Sequence, residues 1–257
     1  MLKFRKWVKT VFWCGLVVIL SAFLTTLSLL ERRTTPSWEE IQAHNNISND
    51  HPQNYQRAIY KSRQSAVQIR SASINVFAGV STTTGTYFTA KGNYYVITVE
   101  HGILGPCLLI SVMHGDDSYG CTAYVQVDAS HDYIIMEIEG PIKNRKPIRI
   151  PEDLPHGSEW KSSYSILNNI VYTGYPNVVG PLTLKGDVVG YTDNELLYIF
   201  SHAYGGASGS GIFTSEGKYI GYVVAIDVGA TSWGAVILEN IVIVAPAFNV
   251  DWSTVLN

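Results

Sequence analysis

The 257-residue chain is short of charge: Asp, Glu, Lys and Arg make up 15% of it, against 46% hydrophobic residues. Intrinsic disorder needs the opposite balance, so most of the chain is expected to fold. Cysteine is scarce as well, with only Cys14, Cys107 and Cys121 and no C-x-x-C pair. A thiolate zinc site is therefore not expected, and no metal or cofactor is called for. A basic stripe is also lacking. Six of the 18 bases (Lys3, Arg5, Lys6, Lys9, Arg32 and Arg33) lie at the N-terminal end beside one acid, Glu31, which leaves 12 bases against 20 acids from residue 34 onward. An acidic body lacks the electrostatic footprint of a nucleic-acid binder, so no nucleic-acid partner is expected. No repeat of solenoid or propeller period is present.

What is present begins with Thr10 to Leu30, 21 residues without a charge. At about 1.5 Å per residue such a helix crosses a hydrocarbon core of roughly 30 Å. Four bases precede it and two follow, so the positive-inside rule puts Met1 in the cytoplasm and the body on the other side. The rival reading is a cleaved signal peptide followed by secretion, but the run is long for that role and no A-x-A site follows. Residues 1–33 are thus expected to form a basic tail and a signal-anchor transmembrane helix, making a single-pass protein with membrane contact through residues 10–30. Residues 34–62 are polar, with two prolines, and read as a linker holding a short helix around Trp38 to His44. Asn46-Ile47-Ser48 is a glycosylation sequon, relevant only in a eukaryotic secretory pathway.

Residues 63–257 read as an all-β domain. Twelve short β-rich runs alternate with Gly, Asn and Asp turns, from Ala66 to Arg70 through Tyr94 to Val99 and Tyr133 to Ile138 to Gly234 to Leu238. Many short strands at this spacing predict closed barrels or a sandwich, because closure removes exposed edges. Ala247 to Leu256 is expected to form a short helix with Pro246 near its start. Cys107 and Cys121 flank a predicted hairpin turning near His114 to Asp117. Two readings stand: a disulfide in an oxidising compartment, or two buried thiols.

Three local patterns carry chemistry. A buried run, Val96 to Val99, leads into Glu100-His101-Gly102; Asp132 opens the apolar run Tyr133-Ile134-Ile135-Met136; and Gly205-Gly206-Ala207-Ser208-Gly209-Ser210-Gly211 lies between two apolar strands. A serine hydroxyl needs an imidazole to take its proton, and a carboxylate on the other ring nitrogen sets the required tautomer. The developing oxyanion needs backbone N–H groups already aimed at it, and glycine beside the serine permits the tight turn. His101, Asp132 and Ser208 are thus the candidate catalytic residues, and the N–H groups of Gly206 and Ser208 the candidate oxyanion hole. Among rival acids, Asp116 and Asp117 suit a hairpin tip and Asp128 a turn. The rival bases His114, His131, His156 and His202 follow no such strand.

Together these motifs resemble the chymotrypsin-like serine proteases. Thr98-Val99-Glu100-His101 resembles their T-A-A-H motif, Asp132 with its strand their D-I/L-A motif, and Gly206-Ala207-Ser208-Gly209-Ser210 their G-D/N-S-G-G motif, all in the family order. Gly85-Thr86-Tyr87-Phe88, Gly174-Tyr175-Pro176 and Gly217-Lys218-Tyr219-Ile220-Gly221 are similar to segments of HtrA-type and viral trypsin-like members. The resemblance covers roughly residues 65 to 256. It implies two six-stranded antiparallel β-barrels meeting near residues 140–165, with a short C-terminal helix, and a serine endopeptidase acting on protein or peptide substrates through an acyl-enzyme. The alternative is a catalytically silent binding module on the same fold. The resemblance also places His202 at the floor of the S1 pocket and Tyr222, Val223 and Val224 along the substrate cleft. Three departures stand out: Glu100 replaces a small residue, with two readings open, a solvent-facing side chain or a carboxylate close enough to raise the imidazole pKa; Ala207 replaces an acid; and Ser210 replaces the second glycine. The residues after the last predicted strand are too few for the PDZ domain of many HtrA relatives, and no motif fixes an oligomeric state.

Overall fold

The computed structural model describes residues 53–75, 77, 79–150, 164–231 and 234–256. They form two closed antiparallel barrels of six strands each. The first contains β1 (Ala66–Ala72), β2 (Val80–Ala90), β3 (Asn93–Thr98), β4 (Ile110–His114), β5 (Asp117–Asp128) and β6 (Tyr133–Ile138), paired in the order β1-β2-β3-β6-β5-β4. The second contains β7 (Asn169–Gly174), β8 (Leu182–Tyr191), β9 (Leu197–Phe200), β10 (Gly211–Thr214), β11 (Tyr219–Thr231) and β12 (Gly234–Pro246), in the order β10-β11-β12-β9-β8-β7. Pairing of β1 with β4 closes one barrel, and pairing of β10 with β7 closes the other.

Alternation along the strands divides their side chains between two layers. Val67, Ile69, Tyr87, Val96, Val112, Ile134 and Met136 pack together in the first barrel. The opposite parity, Phe88, Tyr95, Ile97, Tyr133 and Ile135, packs with Phe213, Tyr219 and Tyr222 of the second barrel. Strands β3 and β6 are therefore buried on both faces, which is why their sequences read as continuous apolar runs. Each such side chain contributes about 1.5–3 kcal/mol by leaving water. The C-terminal residues seal the seam. A 3-10 turn (Ala247–Asn249) and the short helix α2 (Ser253–Leu256) bracket Trp252. The Trp252 ring stands edge-on to Phe88 and Tyr219 at centroid distances of 5.6 and 6.4 Å.

One correction concerns residues 53–62, read from sequence as the end of the linker. They belong to helix α1 (Gln53–Ser65). This helix docks mainly through polar contacts, so it carries little apolar periodicity to detect. Ser62 Oγ donates to Thr173 Oγ1 at 2.7 Å, Lys61 Nζ to the Gly217 carbonyl at 2.7 Å, and Arg63 to Thr183 Oγ1 at 2.7 Å. The proposed anchor at residues 10–30, the short helix near Trp38, the sequon and His156 lie outside the described residues. Among the described residues, no helix is long and apolar enough to cross a membrane.

The two cysteine readings resolve into a disulfide, Cys107–Cys121, closing a sequence separation of 14. It ties the segment that follows His101 to β5, where the Tyr124 hydroxyl also donates to the Gly105 carbonyl at 2.5 Å. A loop of this length constrains the unfolded chain by about 3 kcal/mol. Replacing both cysteines with serine is expected to lower unfolding stability by about 2–4 kcal/mol in denaturant titration.

Candidate active site

His101 lies three residues beyond the end of β3 and Asp132 immediately precedes β6; because β3 and β6 pair with Thr98 opposite Ile134, the two residues meet at one end of the first barrel. Asp132 has a φ of 53°, a left-handed conformation that aspartate tolerates better than most residues. Its carboxylate grips His101 twice. Oδ2 lies 2.7 Å from ring Nδ1, and Oδ1 accepts the His101 backbone N–H at 2.9 Å. This fixes the ring orientation and leaves Nε2 as the outward-facing base. The hydrogen bond from Asp132 raises the His101 pKa above its ordinary value. Partial burial opposes this, while the charges of Asp132 and Glu100 add to it, so Glu100 acts as its second reading has it. Behind the pair, the wholly buried Tyr222 donates its hydroxyl to the His131 carbonyl at 2.7 Å, bracing the chain one residue before Asp132.

Ser208 belongs to the second barrel, on the turn before β10. This turn is held by threonines of β2, in the other barrel. Thr84 N–H and Thr83 Oγ1 both donate to the Ser208 carbonyl, at 3.0 and 2.5 Å. Thr84 Oγ1 donates to the Gly206 carbonyl at 2.7 Å and accepts the Tyr175 N–H at 2.9 Å. Thr86 Oγ1 reaches the Gly209 carbonyl at 3.2 Å. Gly206 and Gly209 take φ values of 93° and 85°, and a Cβ on Gly209 would collide with the Thr84 carbonyl oxygen. The close approach of the two chains therefore requires glycine there. Thr83 also packs against Gly102, so the His101 and Ser208 segments flank the same side chain.

The N–H groups of Gly206 and Ser208 donate no hydrogen bond among the described residues, as an oxyanion hole requires. The link from His101 Nε2 to Ser208 Oγ is not made: the serine hydroxyl has no hydrogen-bond partner among the described residues. Such bonds are often long in apo enzymes and tighten around substrate.

The substrate-cleft residues fall differently from expectation. Tyr222 and Val223 are 0% and 1% exposed, so their side chains line no open cleft. Tyr222 serves the seam instead, and the Val223 backbone pairs with Gly209 and Ser210 at 2.7 and 2.9 Å. Val224 is half-buried. The His202 ring is exposed, while its carbonyl accepts the hydroxyl of buried Tyr172, so the ring is not the enclosed floor of a pocket. The rivals separate cleanly. Asp128, Ser130 and His131 share a surface turn, but Asp128 and Ser130 both approach the same ring nitrogen, Nδ1, at 2.8 and 3.1 Å. A relay needs them on opposite nitrogens. His114 is buried and held neutral, with its pKa lowered to about 4 by burial and by the Arg145 guanidinium. Asp117 begins β5 beside the Gly115-Asp116 turn, as a hairpin tip requires. The sequence reading missed the β2 threonines; their signal was a run of hydroxyl residues, Thr82 to Thr84 and Thr86, packed around Gly85.

No protein-family model and no curated protein matches the sequence. Solved structures do match. A serine endoprotease from Yersinia pestis superposes with a TM-score of 0.57 at 19% identity, over 78% of this chain and 65% of that one. The HtrA-type protease AlgW with a tripeptide superposes with a TM-score of 0.55 at 16% identity, over 76% of this chain and 60% of that one. A variant of AlgW with a tripeptide gives 0.56 at the same identity and coverage. The fold is that of the trypsin-like serine proteases. The chain spans less than two thirds of the length of these trypsin-like neighbours.

A base must be neutral to accept a proton. Because the His101 pKa is raised, the imidazole is expected to titrate in NMR with a midpoint above its ordinary value. Asp132→Asn removes the leading cause of that shift. It should move that midpoint to lower pH, read from the same imidazole resonances.

Proposed function

We propose that this chain is a membrane-anchored serine endopeptidase that cleaves protein or peptide substrates through an acyl-enzyme. The observation that carries the reading is the double grip of Asp132 on His101, 2.7 Å at Nδ1 and 2.9 Å at the backbone N–H. It presets a base on the side away from the carboxylate, and two unengaged N–H groups flank the serine turn held nearby. In this reading Ser208 Oγ attacks the scissile carbonyl carbon while His101 Nε2 takes the hydroxyl proton. The carbonyl oxygen becomes an alkoxide held by the N–H groups of Gly206 and Ser208. Collapse of the tetrahedral adduct breaks the C–N bond, and His101 returns the proton to the departing amine. Water then attacks the acyl-enzyme by the same route in reverse, releasing the acid and free Ser208.

The uncharged Thr10 to Leu30 run, with bases at both ends, supports a signal-anchor with the N-terminus cytoplasmic and the protease domain extracytoplasmic. The Cys107–Cys121 bond supports the same side, because disulfides persist where the surroundings are oxidising.

The test is a fluorophosphonate probe applied to full-length protein in membranes. Labelling should be present in the wild type and absent in Ser208→Ala, with peptide hydrolysis falling by about 10⁶-fold. Folded wild-type protein that resists the probe would instead mark the silent binding module. Release of labelled protein into the soluble fraction by carbonate washing would remove the anchor from this reading.

A further inference from the structure

The two candidate oxyanion donors lie on peptides whose carbonyls are tied down. A trans peptide points its C=O and N–H in opposite directions, so fixing one aims the other. The Gly206 N–H shares its peptide with the Gly205 carbonyl, which accepts the Asn177 N–H at 2.7 Å. The Ser208 N–H shares its peptide with the Ala207 carbonyl. That oxygen accepts twice from one residue, the Ser210 N–H at 3.1 Å and the Ser210 hydroxyl at 2.6 Å.

Ser210 is wholly buried, and its hydroxyl has room only because residue 174 is glycine; a Cβ there would collide with Ser210 Oγ. The hydroxyl is not a rival nucleophile, since its hydrogen is committed to the Ala207 carbonyl and no solvent reaches the residue. A glycine at 210 would leave this carbonyl with a single N–H donor across a turn flanked by two residues of positive φ, Gly206 and Gly209. Such a turn has soft alternatives, including rotation of the 207–208 peptide that carries the Ser208 N–H away from substrate.

We propose that Ser210 is a positioning residue of the oxyanion hole: by holding the Ala207 carbonyl from beneath, its hydroxyl aims the Ser208 N–H at the alkoxide. This rests on the hydrolase reading above. It assigns to Ser210 a role in the transition state rather than in substrate binding, because the aimed N–H matters most when the carbonyl oxygen becomes charged.

The experiment compares full-length wild type with Ser210→Gly and Ser210→Ala, using a peptide ester and its thionoester analogue, in which sulfur replaces the carbonyl oxygen. The wild type should prefer oxygen, because amide donors set for an alkoxide fit the larger sulfur anion poorly. Both variants should lose kcat toward the ester by about 10–100-fold, somewhat less than removal of a whole oxyanion donor, with KM within about twofold. The oxygen-over-sulfur preference should shrink alongside. Unchanged kcat and unchanged preference overturn the inference. Equal losses toward both esters, together with a lowered melting temperature, overturn it as well, since they mark Ser210 as a packing residue only. A wild type without Ser208-dependent hydrolysis is a distinct outcome that brings down the parent reading and this inference together.

Discussion

The structure depends on hydrogen bonds that cross from one barrel to the other at β2. Thr83, Thr84 and Thr86 are at most 2% exposed, and a buried hydroxyl without a partner is costly. Their partners are the carbonyls of Gly206, Ser208 and Gly209, on a turn of the second barrel that has few other ways to satisfy its own backbone. Each side thus supplies what the other lacks. Thr98 extends the network by donating to the Thr84 carbonyl at 2.7 Å, joining the strand that leads toward His101 to the strand whose threonines hold the Ser208 turn. The polar lattice and the aromatic seam of Phe88, Phe213, Tyr219, Tyr222 and Trp252 act together. The seam supplies non-directional attraction, and the threonines supply register.

Scarcity of charge follows from the same arrangement. Strands β3 and β6 are covered on both faces, and the segments that carry His101 and Asp132 leave their protected ends. The site charges therefore sit where apolar strands emerge at the surface. Asp132 is 22% exposed and the His101 side chain 53% exposed. The direct hydrogen bond to Nδ1 dominates the imidazole's titration over its burial.

Much of this was legible in the sequence because it depends on local pattern. The twelve strands announce themselves by β-branched and aromatic runs between turn residues, and Tyr133–Ile138 begins and ends as read. His101 and Asp132 were visible as polar residues at the ends of apolar strands, and Ser208 as a glycine-framed turn between two. What stayed hidden depends on contacts distant in sequence. Helix α1 is held by Ser62, Lys61 and Arg63 reaching residues more than 100 positions away, and no period betrays that. The family resemblance implied a cleft position for Tyr222, yet side-chain parity turns it into the seam. The disulfide was undecided because spacing alone does not reveal whether two cysteines face each other across a hairpin.

The division of the site between the barrels has a consequence for how the protein is made. His101 and Asp132 belong to the first half of the chain, the Ser208 turn to the second, and that turn is shaped by strand β2 of the first half. A nascent polypeptide therefore carries the imidazole and its carboxylate before it carries the turn that they serve in the proposed reading. In the proposed reading, the reactive assembly comes into existence only when the two barrels have docked, with Trp252 packed on Phe88 of the first and Tyr219 of the second. Docking of the two barrels is thus the step that completes the site.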